Sequence, residues 1–170
     1  MSSTSRGEPR ALGADRGTPE HGDVSELEAH LGYWLRAVSN HVSHAFKSRV
    51  EARGVTVAEW VVLRALYDGD GGKPSELAAR IGLSRGAVSK LVDRLVAKQL
   101  VSVRSDANDG RAQILTLRAS GRRLVPELAA LADENDAEAF GHLDAAQRGA
   151  LLGMLRGLAE HLGLRGAPID

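Results

Sequence analysis

Apolar positions along the chain keep a helical period over most of its length and break it in one place. Leu27, Leu31, Trp34, Leu35, Val38, Val42, Phe46 and Val50 recur at three- and four-residue spacing, the stripe of a long amphipathic helix. Its start is expected near Asp23 or Ser25, because Ser25 and Glu28 have capping-box spacing, and Arg53-Gly54 is expected to end it. Thr56 and Glu59 repeat the capping-box spacing and open a second helix, with Trp60, Val61, Leu63 and Leu66 on its buried side. Asp68-Gly69-Asp70-Gly71-Gly72 reads as a loop, and Pro74 suits the first turn of a third helix.

Leu77, Ala78 and Ile81 carry that third helix, and Gly82 stops it, since a residue just past a helix end often needs positive φ. Ser84 is the candidate N-cap of a fourth helix with Val88, Leu91, Val92 and Leu95 as its stripe. A small residue at Ala78, a turn glycine four later and an apolar residue six after that is the spacing of a DNA-binding helix-turn-helix. The face left over on the second helix of that pair holds Arg85, Gly86, Ser89, Lys90 and Arg94, which are long and basic or too small to block a groove.

The period then switches to alternation. Val101 and Val103 alternate with Ser102 and Arg104, and Ile114, Leu115 and Leu117 form a second strand-like run. Between them, the turn sequence Ser105 to Gly110, with Asp109-Gly110 its strongest element, predicts a β-hairpin whose far strand starts beside Arg111. A hairpin placed straight after such a helix is a wing. Two helices follow. One is expected from about Ala119 to Phe140, bent by Pro126 or starting there, and the other from Asp144, where Asp144 and Gln147 have capping spacing. Leu151, Leu152, Leu155, Leu158 and Leu162 on the last helix, together with the long first helix, offer more apolar face than a small winged domain can cover, so a second subunit is expected to bury it.

Charge sharpens this picture. The 170-residue chain is neutral overall, yet Lys73 to Arg123 holds eleven Lys and Arg against four acids, a net +7 balanced by −7 elsewhere. A basic middle flanked by acidic segments points to polyanion binding by the middle alone. The absence of cysteine excludes disulfides, thiolate catalysis and cysteine-ligated zinc. With no apolar run of membrane-spanning length and no hydrophobic signal region, a cytoplasmic protein without membrane contact is expected.

The order helix, helix, helix-turn-helix, hairpin, long helix, helix over roughly residues 24–163 resembles the multiple antibiotic resistance regulator (MarR) family of bacterial transcription factors. Its most specific piece is Asp109-Gly110-Arg111, followed by Leu115-Thr116-Leu117 and Gly121, which looks like the family's wing signature. Two positions depart from the pattern. Gln99 stands where the family has glycine, which requires a left-handed residue or another exit from the helix, and Arg118 stands where the family has a capping threonine. The resemblance implies a mainly α fold, a winged helix-turn-helix with a two-stranded wing and a helical dimerisation region. The expected organisation is a tail over 1–22, a dimerisation helix over 23–54, the DNA-binding unit over 55–118, dimerisation helices over 119–163 and a tail over 164–170.

The expected chemistry follows from the residue types. A helix starting at Ser84 points its positive dipole end and unpaired amides at phosphate. Arg85, Ser89 and Lys90 are placed to reach base edges in a major groove; Arg94 is assigned to phosphate, as Arg85 and Lys98 are in part. Arg111 at the wing tip suits a narrow minor groove, and Asp109 would hold Arg111 or Arg94 in its working rotamer. The resemblance further implies a homodimer that spaces two such helices about 34 Å apart on double-stranded palindromic DNA, and a small-molecule effector pocket where the dimer helices meet the winged unit. Candidate pocket residues are Tyr33, Trp34, His41, His44 and Trp60. No cofactor is expected. A metal-responsive variant would use His41 and His44, three apart on one helix, with His142 or His161 approaching in the dimer. An enzyme finds no support in any nucleophile, phosphate-loop or carboxylate motif, and a scaffold without DNA binding is disfavoured by Arg85, Lys90 and Arg111.

Overall fold

A computed structural model of the chain describes residues 24–69, 71–105 and 112–164. Its elements are α1 (Leu31–Glu51), α2 (Val57–Tyr67), α3 (Pro74–Ile81), α4 (Arg85–Ala97), β1 (Val101–Ser105), β2 (Gln113–Leu117), α5 (Ala119–Phe140) and α6 (Ala145–His161), with one 3-10 turn at Leu27–Ala29 before α1.

The core lies where α2, α3, α4 and the base of the hairpin meet the C-terminal end of α1 and the first half of α5. Val50, Val62, Leu63, Val88, Leu95, Val101, Leu115 and Leu128 are all fully buried there. Val62 replaces Val61 on the inner side of α2, and Val61 is only half-buried. Local signals set the α2 and α6 starts as expected: Thr56–Glu59 and Asp144–Gln147 form reciprocal capping boxes. α1 starts later than expected, at Leu31, with His30 extended ahead of it and no side chain capping it. The reason is a lack of packing. Every residue from Val24 to His41 is exposed, so Ser25 and Glu28 have no buried face to nucleate against.

β1 and β2 pair antiparallel, Val101 opposite Leu117 and Val103 opposite Leu115. Val103 is exposed although its partner Leu115 is fully buried. The loop before α3 adds a backbone bridge that periodicity does not show: Gly72 exchanges hydrogen bonds with Leu115, at 3.0 and 2.9 Å. Glycine is required just before it. Gly71 has φ +127°, and a Cβ there would lie 2.7 Å from the Leu115 carbonyl oxygen. α5 continues through Pro126 instead of starting at it. Its start is fixed seven residues earlier, where the Arg118 amide donates to the Leu100 carbonyl at 2.9 Å.

α1 and α5 pack along each other. Arg49 pairs with Glu138 and Arg53 with Glu127 (2.9 Å), while buried Asn135 donates to the Val42 carbonyl at 3.3 Å. α6 buries none of its residues, and its Leu152, Met154, Leu155, Leu158 and Leu162 are exposed, as are Leu31, Tyr33, Trp34, Leu35 and Val38 on α1.

Candidate nucleic-acid interface

α3 and α4 form the turn read from the sequence. Gly82 adopts the left-handed conformation at φ 73° and its amide closes on the Ala78 carbonyl. Ser84 is extended and its hydroxyl accepts the Ala87 amide at 3.2 Å, so the first turn of α4 is capped by a small side chain that leaves the helix end open. Leu91 and Val92 are buried and Val88 and Leu95 fully so, locking α4 onto α2 and α3.

The opposite face of α4 is entirely solvent-facing. Ser84, Arg85, Gly86, Ser89, Lys90 and Arg94 are all exposed, as the sequence pattern requires. Asp93 lies on the same exposed face, an acid amid the basic side chains to which the sequence reading gave no role. The first turn of α4 holds no acid that would offset its dipole. Gly86 has nothing within 4 Å of the position a Cβ would take, so its lack of a side chain serves no internal contact. Arg111 and Asp109, the wing-tip candidates, lie outside the described residues, as does the turn between the strands.

Some basic side chains are held by internal partners among the described residues and others, including Arg36, Arg104, Arg123 and Arg156, are not. Arg49, Arg53, Arg64, Arg80, Arg118, Arg122 and Arg148 each bond to a carboxylate, a carbonyl or a side-chain amide oxygen. Arg85, Lys90 and Arg94 have no such partner among the described residues. Lys98 departs from expectation. Its ammonium donates to Glu59 Oε2 at 2.7 Å and to the Gly54 carbonyl at 2.8 Å, so it is held by internal acceptors. Sequence could not reveal this, because the partner is 39 residues away.

The ligand candidates fall in separate places within one protomer. Tyr33 and Trp34 meet edge to face, 5.3 Å between ring centres, on the exposed half of α1, and Trp34 Nε1 donates to the Glu28 carbonyl. His41 and His44 are exposed further along the same helix. Trp60 is buried and lines a cleft of about 420 Å³ between α2 and α3 with Val61, Arg64, Ala65, Asp68, Arg80 and Ile81. Among the described residues no group of three or more His, Asp or Glu is placed to hold a metal ion.

A capped recognition helix, a glycine corner and a hairpin held on two long helices define the winged helix-turn-helix class of DNA-binding proteins. Comparison with known proteins narrows the class. The sequence model of the MarR family matches residues 53–112. The transcriptional repressor NicR of Pseudomonas putida is 28% identical over 138 residues, spanning 81% of this chain and 85% of NicR. The solved structure of Bordetella bronchiseptica BpsR, whose DNA binding is regulated by 6-hydroxynicotinic acid, superposes with a TM-score of 0.69 at 27% identity, covering 84% of this chain and 98% of BpsR. A mutant MarR from E. coli complexed with operator DNA shares the fold, with a TM-score of 0.68 at 22% identity over 75% of this chain and 92% of that one. Over residues 53–112 and across most of its length the chain is thus similar to MarR-type transcriptional regulators. No described helix is long and apolar enough to cross a membrane.

Proposed function

We propose that this protein is a sequence-specific transcriptional repressor that binds palindromic duplex DNA as a homodimer and is released by a small organic effector. The observation that carries the reading is the uncommitted face of α4. Arg85, Lys90 and Arg94 stand together, exposed and without an internal partner among the described residues, beside a glycine and two serines on a helix whose N-terminus is open. That arrangement suits insertion into a major groove, with Arg85, Ser89 and Lys90 toward base edges and Arg94 toward phosphate. Arg111, expected at the wing tip, is assigned to the neighbouring minor groove, with Asp109 assigned to orient Arg111 or Arg94.

The dimer reading rests on the uncovered apolar surface. α6 has no buried residue, and the N-terminal half of α1 exposes Leu31, Trp34, Leu35 and Val38. A second copy of the same helices is the simplest cover, which assigns 23–54 and 119–163 to dimerisation and 55–118 to DNA. For the effector, Trp60 offers an aromatic wall and Arg64 and Arg80 offer positive charge in one cleft. Tyr33, Trp34, His41 and His44 would join it only across the dimer. NicR is a repressor and BpsR responds to 6-hydroxynicotinic acid, so that compound is the first effector to test.

Fragments of the source organism's DNA selected by the purified protein test the reading. The expected result is a discrete duplex bound by two protomers, by light scattering of the complex, and weakened by 6-hydroxynicotinic acid or a related acid. A monomer that selects nothing refutes it.

A further inference from the structure

The recognition helix is fastened at its rear and open at its front. α4 ends at Ala97, and the next two residues tie it to the α1–α2 corner and to the start of α5. Lys98 bonds Glu59 and the Gly54 carbonyl at the corner where α1 gives way to α2. The Glu59 side chain is 1% exposed; its Oε2 also accepts the Thr56 amide that caps α2, and its Oε1 has no hydrogen-bond partner. Lys98 is the one cation paired with this buried carboxylate among the described residues.

Gln99 supplies the second tie. It sits at φ 60°, a left-handed conformation that favours glycine. Its Oε1 accepts from the Arg118 guanidinium, and its carbonyl accepts the Ser120 hydroxyl at 2.5 Å, both at the start of α5. The two positions that depart from the family's wing signature are therefore bonded to each other.

We infer that Lys98 and Gln99 form a pivot that sets the orientation of the recognition helix relative to α1 and α5, with Lys98 acting as a positioning residue and not as a phosphate contact. Movement of the α1–α2 corner or of the start of α5 reaches the rear of α4 through these bonds, while the front, packed on α3 through Val88 beside the Gly82 corner, faces the DNA. The inference rests on the DNA-binding reading above.

Lys98→Met, Glu59→Gln and the double variant test it, with one duplex selected from the source genome and one scrambled duplex of equal length. Gln retains the capping role at the third position of α2, so Glu59→Gln removes charge without removing the cap. Expected for Lys98→Met is about a tenfold loss on the selected duplex, affinity for the scrambled duplex within about twofold, and an unchanged salt slope, because one lost phosphate contact would lower that slope by roughly 0.9. Glu59→Gln should reproduce the loss, and the double variant should be no worse than the weaker single one. Equal losses on both duplexes with a shallower slope would make Lys98 a phosphate contact and overturn the inference. Additive losses, or none, would overturn it as well. If Lys98→Met fails to fold by circular dichroism, Glu59→Gln decides alone. A wild-type protein that cannot distinguish the two duplexes removes the underlying DNA reading instead.

Discussion

Gly121 is the third residue of α5, a position where alanine would ordinarily improve a helix. Here the reverse is predicted. A Cβ at Gly121 would lie 2.3 Å from the Leu100 carbonyl oxygen and 3.3 Å from Leu117 Cδ2. Ordinary carbon-to-oxygen contacts begin near about 3.3 Å, so the first turn of α5 must retreat by roughly 1 Å. That retreat stretches the 2.9 Å bond from the Arg118 amide to the same carbonyl. Loss of that bond costs about 0.5–1.5 kcal/mol and the overpacking about 1–3 kcal/mol, against a helix-propensity gain of at most about 1 kcal/mol. The net expectation for Gly121→Ala is a destabilisation of about 1–3 kcal/mol. Urea unfolding at a fixed protomer concentration, held equal because dimerisation contributes to stability, should show the midpoint falling by about 1 M at a slope near 2 kcal/mol per M. A midpoint equal to or above that of the native protein would show that α5 does not approach the end of the recognition helix so closely.

Gly86→Ala makes the opposite case. Nothing lies within 4 Å of its Cβ position, so thermal or urea unfolding should show a gain of a few tenths to about 1 kcal/mol, while gel-shift affinity for the selected duplex falls because the added methyl lies on the groove-facing side. Arg111→Ala should weaken binding of that duplex by about 1–3 kcal/mol in a titration at fixed salt, with the dimer intact by light scattering. Thr56→Ala removes an acceptor bonded to the Glu59 amide at 3.2 Å and should cost about 1 kcal/mol in urea unfolding, with little change in DNA affinity.

What the sequence reveals and what it hides follow from range. The capping boxes at Thr56–Glu59 and Asp144–Gln147, the left-handed Gly82 and the Ser84 cap involve residues within a few positions of one another, and periodicity plus side-chain chemistry finds them. At Gln99 the sequence left two routes open, a left-handed residue or another exit from the helix, and φ of 60° shows the first. Ser25 with Glu28 has the same local spacing as Thr56 with Glu59 but is followed only by a 3-10 turn, because the residues there have no buried face to stabilise an α-helix. The internal pairing of Lys98, the Gly72–Leu115 bridge and the closeness of Gly121 to Leu100 all depend on partners at least 21 residues away. Gly71 and Gly72 carried the only sequence signal for the bridge, since paired glycines mark a close backbone approach as well as a loop. The exposed face of α4 was legible apart from Asp93, because it is the complement of a stripe that is itself periodic.

The account stands most directly on one equilibrium titration: the native protein and the Arg85→Ala/Lys90→Ala double variant, each against a selected genomic duplex and its scrambled counterpart at the same salt. The native protein should prefer the selected duplex by about 10³-fold or more, and the double variant should lose at least tenfold of that preference while remaining folded. A double variant that discriminates as well as the native protein would contradict the assignment of sequence reading to the open face of the recognition helix.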